Sequence, residues 1–231
     1  AITMELKAVL LYLVALYNTA VQADDSQLVD NRDECGQWAT GGECEANPTF
    51  MRRDCAKSCH LFDLINKDAG EDVSSFFDLH ALDIDENLVD FSTFKGKVTI
   101  VVNVASFCGY TKSHYQGLVK LYNDVQDTNM VEIMAFPCNQ FGEQEPEECR
   151  SIKRFAQSRG AEFRMMYKID VNGVTTHPVY KFLKQSAGPA NIQWNFATYY
   201  VIAPDGKITS HSGVEPHQLK DIVLDLTNDE L

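Results

Sequence analysis

The chain has 231 residues, 45% of them hydrophobic and 23% charged, a globular composition that excludes a wholly disordered protein. Lys and Arg number 20 against 33 Asp and Glu, a formal charge of −13. That balance excludes nucleic acid, whose phosphates need a Lys/Arg-rich face, and disfavours an anionic membrane surface. The length accommodates one domain of about 150 residues and a smaller unit. Seven cysteines, four of them close together, point to an oxidising compartment. The odd count leaves at least one sulfur without an intramolecular partner.

In chain order, residues 1–23 read as a secretory signal. Met4-Glu5-Leu6-Lys7 carries a positive charge, Ala8 to Tyr17 is apolar, and Val21-Gln22-Ala23 offers small residues for cleavage. The apolar run is too short to span about 30 Å of hydrocarbon, so the mature chain is expected to have no membrane span. Cleavage removes Glu5 and Lys7 together and leaves the net charge unchanged.

Residues 24–62 form a candidate disulfide module. Cys35, Cys44, Cys55 and Cys59 lie among Gly41-Gly42, Asn47-Pro48 and many polar residues, with too little apolar material for a self-supporting core. Zinc is the competing explanation for four thiolates. Only Cys55 and Cys59 approximate a metal knuckle, so disulfides are the expectation. The run from Cys35 through Trp38, Gly42, Cys44, Asn47-Pro48 and Phe50, then Cys55 and Ser58-Cys59, resembles a ShK toxin-like (ShKT) domain. That family has six cysteines, paired first to sixth, second to fourth and third to fifth. Its first and sixth positions fall on Leu28 and Phe62 here, so the missing cysteines are partners of each other. The resemblance implies the pairs Cys35–Cys55 and Cys44–Cys59. The channel-blocking Lys-Tyr pair of some relatives is not evident, and the module reads as a docking or stabilising appendage whose target is unknown.

A polar connector is expected over residues 63–73, followed by a larger domain over 74–231. Val98 to Val104 is a continuous, largely β-branched run, as a strand buried on both faces requires. Tyr115, Leu118, Val119, Tyr122 and Val125 recur at helical spacing, and Met130 to Phe136 is a second buried strand. Together they predict a βαβ unit. Helices are expected around 146–159 and 177–185. Phe196–Ile202 and Lys207–Ser212 are expected to pair as a hairpin through Pro204-Asp205-Gly206. Pro216 is expected to open a last helix over 217–227. This α/β order, a parallel βαβ followed by hairpin and helix, is thioredoxin-like.

Cys108 falls between the first buried strand and its helix, where unpaired N–H groups and the positive end of the helix dipole favour an anion. The thiolate is the nucleophile, so position alone nominates Cys108 over a buried structural thiol. No second cysteine lies three residues away, which excludes a C-x-x-C dithiol.

Asn103-Val104-Ala105-Ser106, Cys108-Gly109 and Thr111; Ala135 to Gly142 with Gln144-Glu145-Pro146; Val171-Asn172-Gly173; and Trp194-Asn195-Phe196 together resemble the glutathione peroxidase family over about residues 74–226. The resemblance implies a thioredoxin-like fold. It implies a catalytic tetrad of Cys108, in place of selenocysteine, with Gln144, Trp194 and Asn195. The three partners are neutral hydrogen-bond donors, suited to a thiolate and a departing hydroxide. The implied reaction is reduction of hydrogen peroxide or lipid hydroperoxides through a Cys108 sulfenic acid, with no bound cofactor or metal.

The resolving thiol of many cysteine-type relatives would fall at Phe155-Ala156-Gln157, which contains none. Cys138 and Cys149 are the internal candidates, with Cys138 preferred because its position matches one implicated in the endoplasmic-reticulum branch. Cys149 is expected to be exposed by its polar context. Glutathione is possible as reducing co-substrate, but the chain lacks the basic residues that relatives place around the pocket, and its charge repels an anionic tripeptide. A protein dithiol, such as a disulfide isomerase or thioredoxin-like partner, fits better. The short segment from Lys184 to Trp194 implies a monomer with an open site. The alternative is a non-catalytic interaction or redox-sensor protein that binds through the ShKT module.

The chain closes on Asn228-Asp229-Glu230-Leu231, which resembles a KDEL-type retrieval signal. With the secretory signal it points to the endoplasmic reticulum lumen, secretion being the alternative.

Overall fold

The computed structural model describes residues 28–67 and 73–228. The expected secretory signal and the last three residues of the terminal tetrapeptide lie outside them. The chain divides between Asp63 and Leu64 into two compact units.

The first unit is a set of short helices: α1 (Cys35–Thr40), α2 (Glu43–Ala46), α3 (Pro48–Asp54) and α4 (Ala56–Lys67). Gly42 sits at φ +88, a left-handed conformation that lets the chain turn tightly between α1 and α2. Pro48 opens α3, where its missing N–H costs nothing. The core is Cys35, Ala39, Cys44, Met51, Cys55 and Cys59, with Trp38, Phe50 and Phe62 packed against it. Sulfur supplies most of this small interior. Cys35–Cys55 and Cys44–Cys59 are disulfide-bonded, as the resemblance implies. They close loops of 20 and 15 residues, each contributing about 3 kcal/mol by constraining the unfolded chain. Leu28 is half-buried and Phe62 joins the core, so both positions of the absent cystine carry apolar side chains. The Asp30 carboxylate accepts from the Ser58 N–H at 3.1 Å and the Ser58 hydroxyl at 2.6 Å, tying the start of the unit to α4. The polar connector begins later than its composition implies, because residues 63–67 continue α4.

The second unit is built on a five-stranded sheet. Its elements are β1 (His80–Leu82), β2 (Leu88–Asp90), β3 (Val98–Val104), α5 (Thr111–Val125), β4 (Val131–Pro137), α6 (Cys149–Ser158), β5 (Arg164–Met165), α7 (Pro178–Ala187), β6 (Thr198–Ile202), β7 (Ile208–Ser212) and α8 (Lys220–Asn228). The sheet order is β5-β4-β3-β6-β7, with β3 parallel to β4, β4 parallel to β5, and β6 antiparallel to both β3 and β7. This is the thioredoxin-like α/β architecture expected.

Strand alternation divides the interior. Val98, Ile100, Val102 and Val104 face a cluster with Tyr115 and Leu118 of α5, Ile152 and Ala156 of α6, and Val223 of α8. Val101, Met134 and Phe136 face a second cluster with Phe76, Phe91, Val179 and Tyr180. Every residue of β3 is buried, which accounts for the largely β-branched run.

Boundaries shift by a few residues. Helix α6 starts at Cys149, because Glu148 keeps an extended backbone after Pro146. Pro216 opens a 3₁₀ turn through Leu219, closed by a reciprocal Glu215–Gln218 capping box, and α8 follows. The β1–β2 hairpin and β5 leave no pattern in the sequence: two or three residues are too short for alternation to register. The Asp83 carboxylate closes that hairpin by accepting from the N–H groups of Asp85 and Asn87.

Candidate active site

Cys108 lies on the turn between β3 and the first turn of α5, with a free and nearly buried thiol. Thr111 shapes this turn. Its hydroxyl donates to the Ala105 carbonyl at 2.6 Å and accepts from the Cys108 N–H at 3.1 Å, while its own N–H donates to the Cys108 carbonyl. Phe107 and Tyr110, on either side of Cys108 in the chain, are 62% and 55% exposed, an unusual placement for large apolar rings.

The loop after β4 docks on this turn. The Phe107 N–H donates to the Gln144 carbonyl at 3.0 Å, and the Ser106 hydroxyl donates to the Glu145 carboxyl at 3.1 Å. Gly142 is at φ +63, and a Cβ there would sit 3.7 Å from the Trp194 ring and 3.8 Å from the Gln144 side chain, so the bare backbone runs between these two residues. Phe141 packs on Trp194 with ring centroids 5.7 Å apart. Glu143 at φ 53 and Phe196 at φ 65 are non-glycine residues in the left-handed region, and they directly precede Gln144 and follow Asn195. Such strain persists only where surrounding contacts over-determine the backbone.

Asn195 is fully buried. Its Oδ1 accepts from Asn103 Nδ2 at 3.0 Å, and its own Nδ2 has no partner within the chain. Buried Gln144 Oε1 is likewise without one. Buried polar groups are normally satisfied, so the Asn195 amide N–H₂ and the Gln144 amide oxygen each keep hydrogen-bonding capacity that the chain itself does not use. The fold therefore joins Gln144 to the Cys108 turn, Trp194 to the Gln144 loop, and Asn195 to the end of β3.

Neither of the two other free thiols is exposed. Cys138 is fully buried in the cluster on the opposite sheet face from Cys108, and burial pushes its thiol up to about 12. Cys149, expected to be exposed, is half-buried against the same cluster as Cys108, because Ile152 and Ala156 draw α6 onto the sheet. Burial pushes its thiol up to about 11.

Glu145, Ser106, Thr111 and Asn103 carry structural roles that motif reading left unassigned. Glu145 is fully buried with one oxygen unpartnered, and desolvation raises its carboxyl to about 7 despite the Ser106 hydrogen bond. A lone acidic residue between Gln144 and Pro146 gives no periodic signal of burial. A surface cavity of about 590 Å³, lined by Asp83, Lys153, Gln157 and Arg164 among others, includes none of the tetrad positions. Among the described residues, the grouping of Asp30, Cys35 and Cys55 brings metal-binding atom types within 4.8 Å, but its sulfurs are held in a disulfide. Among those residues, no helix is long and apolar enough to cross a membrane.

Comparison with known proteins agrees with both resemblances. A family model described as glutathione peroxidase matches residues 76–184, and one described as ShK domain-like matches residues 27–61. The chain is 49% identical over 138 residues to "Probable phospholipid hydroperoxide glutathione peroxidase" of Mesembryanthemum crystallinum, covering 58% of this chain and 80% of that one. It is 42% identical over 134 residues to glutathione peroxidase 7 of Homo sapiens, covering 58% and 70%. The solved structure of T. cruzi GPX1 matches with a TM-score of 0.55 and 32% identity, over 67% of this chain and 97% of that one.

Proposed function

The chain belongs to the glutathione peroxidase family and is a peroxidase, and from that premise we propose that it is a cysteine-dependent thiol peroxidase in which Cys108 is the nucleophile. The carrying observation is a free Cys108 on the turn that opens α5, braced by Thr111 and docked against the Gln144 loop. The Cys108 thiolate attacks one peroxide oxygen. An S–O bond forms as the O–O bond breaks, and two electrons pass from sulfur to the peroxide. The departing hydroxide or alkoxide takes up a proton and leaves as water or alcohol, and Cys108 becomes a sulfenic acid. Gln144, Trp194 and Asn195 supply neutral dipoles for the thiolate and the departing oxyanion.

A second thiol then attacks the sulfenic sulfur, forming a disulfide and releasing water, and an external dithiol reduces that disulfide by exchange. For the internal thiol we place Cys149 ahead of Cys138. Cys149 shares the Cys108 cluster, whereas Cys138 lies across the sheet. Either thiol must be released from its packing before it reacts. For the external reductant, a protein dithiol such as a disulfide isomerase suits a chain of charge −13 better than glutathione does. The exposed rings of Phe107, Tyr110 and Trp194 suit an apolar hydroperoxide as well as hydrogen peroxide, in keeping with the name of the Mesembryanthemum relative. Two disulfides support the secretory pathway, where the terminal tetrapeptide favours retention in the endoplasmic reticulum. The ShK-like unit is read as an appendage and the protein as a monomer.

Peroxide consumption by the purified protein with a dithiol reductant tests the central reading. Cys108→Ser is expected to lower turnover by about 10³-fold or more. Equal rates for the two proteins would exclude Cys108 as the nucleophile.

A further inference from the structure

The penultimate residue of β3 buries an amide where a valine would serve the strand better. Asn103 has no exposed surface, and its neighbours in the strand are Val102 and Val104. A buried amide is costly unless its groups are used, and Asn103 Oδ1 has no partner, which adds to that cost. Its Nδ2 is used twice. It donates to the Trp194 carbonyl at 3.3 Å and to Asn195 Oδ1 at 3.0 Å. In return the Phe196 N–H donates to the Asn103 carbonyl at 2.8 Å, so one strand residue grips three consecutive residues of the Trp194-Asn195-Phe196 segment.

The directions of these bonds have a consequence. A backbone carbonyl only accepts, so the Trp194 carbonyl fixes which end of the Asn103 amide faces the segment. With Nδ2 presented, Asn195 must answer with its oxygen. The reversed Asn195 amide would set two N–H₂ groups against each other. Asn195 therefore keeps Nδ2 free, buried and without a partner in the chain.

We propose that Asn103 is a positioning residue that sets the orientation of the Asn195 amide, so that Asn195 presents a donor and not an acceptor to the reacting sulfur and oxygen. The proposal rests on the reading of Asn195 as a donor in peroxide reduction and adds a residue that acts through it. Without Asn103 the Asn195 amide is free to turn, and an oxygen turned toward an anion repels it.

The test is a double-mutant cycle on the full chain, reading the second-order rate constant for oxidation of Cys108 by hydrogen peroxide, with thermal melting as the check on folding. Asn103→Leu, nearly isosteric and suited to a buried strand, is expected to slow oxidation by about 100-fold, the scale of losing one preorganised donor. Asn195→Ala is expected to do the same. The double variant is expected to be no slower than Asn195→Ala alone, because Asn103 has nothing further to orient. Asn103→Ala, which also removes the amide, provides the same cycle should the leucine variant fail to fold. An Asn103 variant that folds and reacts at the wild-type rate would overturn the proposal. So would losses that multiply in the double variant, which mark a general structural role. A wild-type rate for Asn195→Ala would remove the donor reading itself, and this proposal with it, while leaving Cys108→Ser to judge the peroxidase assignment separately.

Discussion

The two units use sulfur in opposite ways. In the ShK-like unit four of the six buried core residues are cysteines, and all four are tied in disulfides. In the peroxidase domain more than forty buried apolar residues on two faces of a sheet carry stability, and its three cysteines are free. A domain that does not depend on cross-links can leave a thiol reactive. A unit of about forty residues cannot, because its apolar surface does not offset the entropy of ordering it.

Reduction, or paired Cys→Ser changes, should therefore divide the molecule. Removing both Cys35–Cys55 and Cys44–Cys59 is expected to unfold the small unit, at about 3 kcal/mol for each bond. Limited proteolysis read by mass spectrometry checks this: new cleavage sites should appear within residues 28–62. A small unit that resists protease without its disulfides would show that apolar packing, not sulfur, holds it.

The next effect belongs to the peroxidase domain alone. Glu145 is raised from 4.5 to about 7 in the fold by burial. Its neutral form is the one the fold accommodates, so this contribution to stability is complete below about pH 4.5 and is lost as pH rises through about 7. The displacement corresponds to roughly 3 kcal/mol between those limits. Glu145→Gln keeps an acceptor for Ser106 without a charge. Denaturant melts between pH 5 and pH 8 should show a decline in the wild type that the variant lacks. Parallel pH profiles for the two proteins would remove Glu145 as the source.

A smaller effect is expected in the small unit at Asp30. Its carboxylate holds the Ser58 N–H and hydroxyl, and Asp30→Ala is expected to cost about 2 kcal/mol, within the range for hydrogen bonds to a charged group. Protease resistance of residues 28–62 again provides the measurement. No change would mean that the disulfides alone fix this part of the chain.

Much of this arrangement is legible in the chain because local pattern and global fold agree. The β-branched run of β3, the helical spacing from Tyr115 to Val125 and the Pro204-Asp205-Gly206 turn each specify their element without reference to distant residues. The disulfide pairs follow from a family pattern in which loss of one cysteine pair leaves the others in place. What the pattern does not convey is burial created by docking one loop on another. Glu145 is hidden by contact with Ser106, 39 residues away, and Asn103 meets Asn195 across 92 residues. Polar residues in such places look like ordinary strand or loop positions. Cys149 misleads for the same reason: its charged neighbours in the chain say nothing of the sheet beneath α6.

The most direct test of this division of sulfur is a peptide map after one equivalent of hydrogen peroxide, with a sulfenic-acid trap present and reductant absent. Oxidation is expected to fall on Cys108, recovered either as the trapped adduct or in a disulfide with Cys149, while Cys35–Cys55 and Cys44–Cys59 remain intact. Oxidation that appears first on Cys138 or Cys149, with Cys108 still a free thiol, would contradict it.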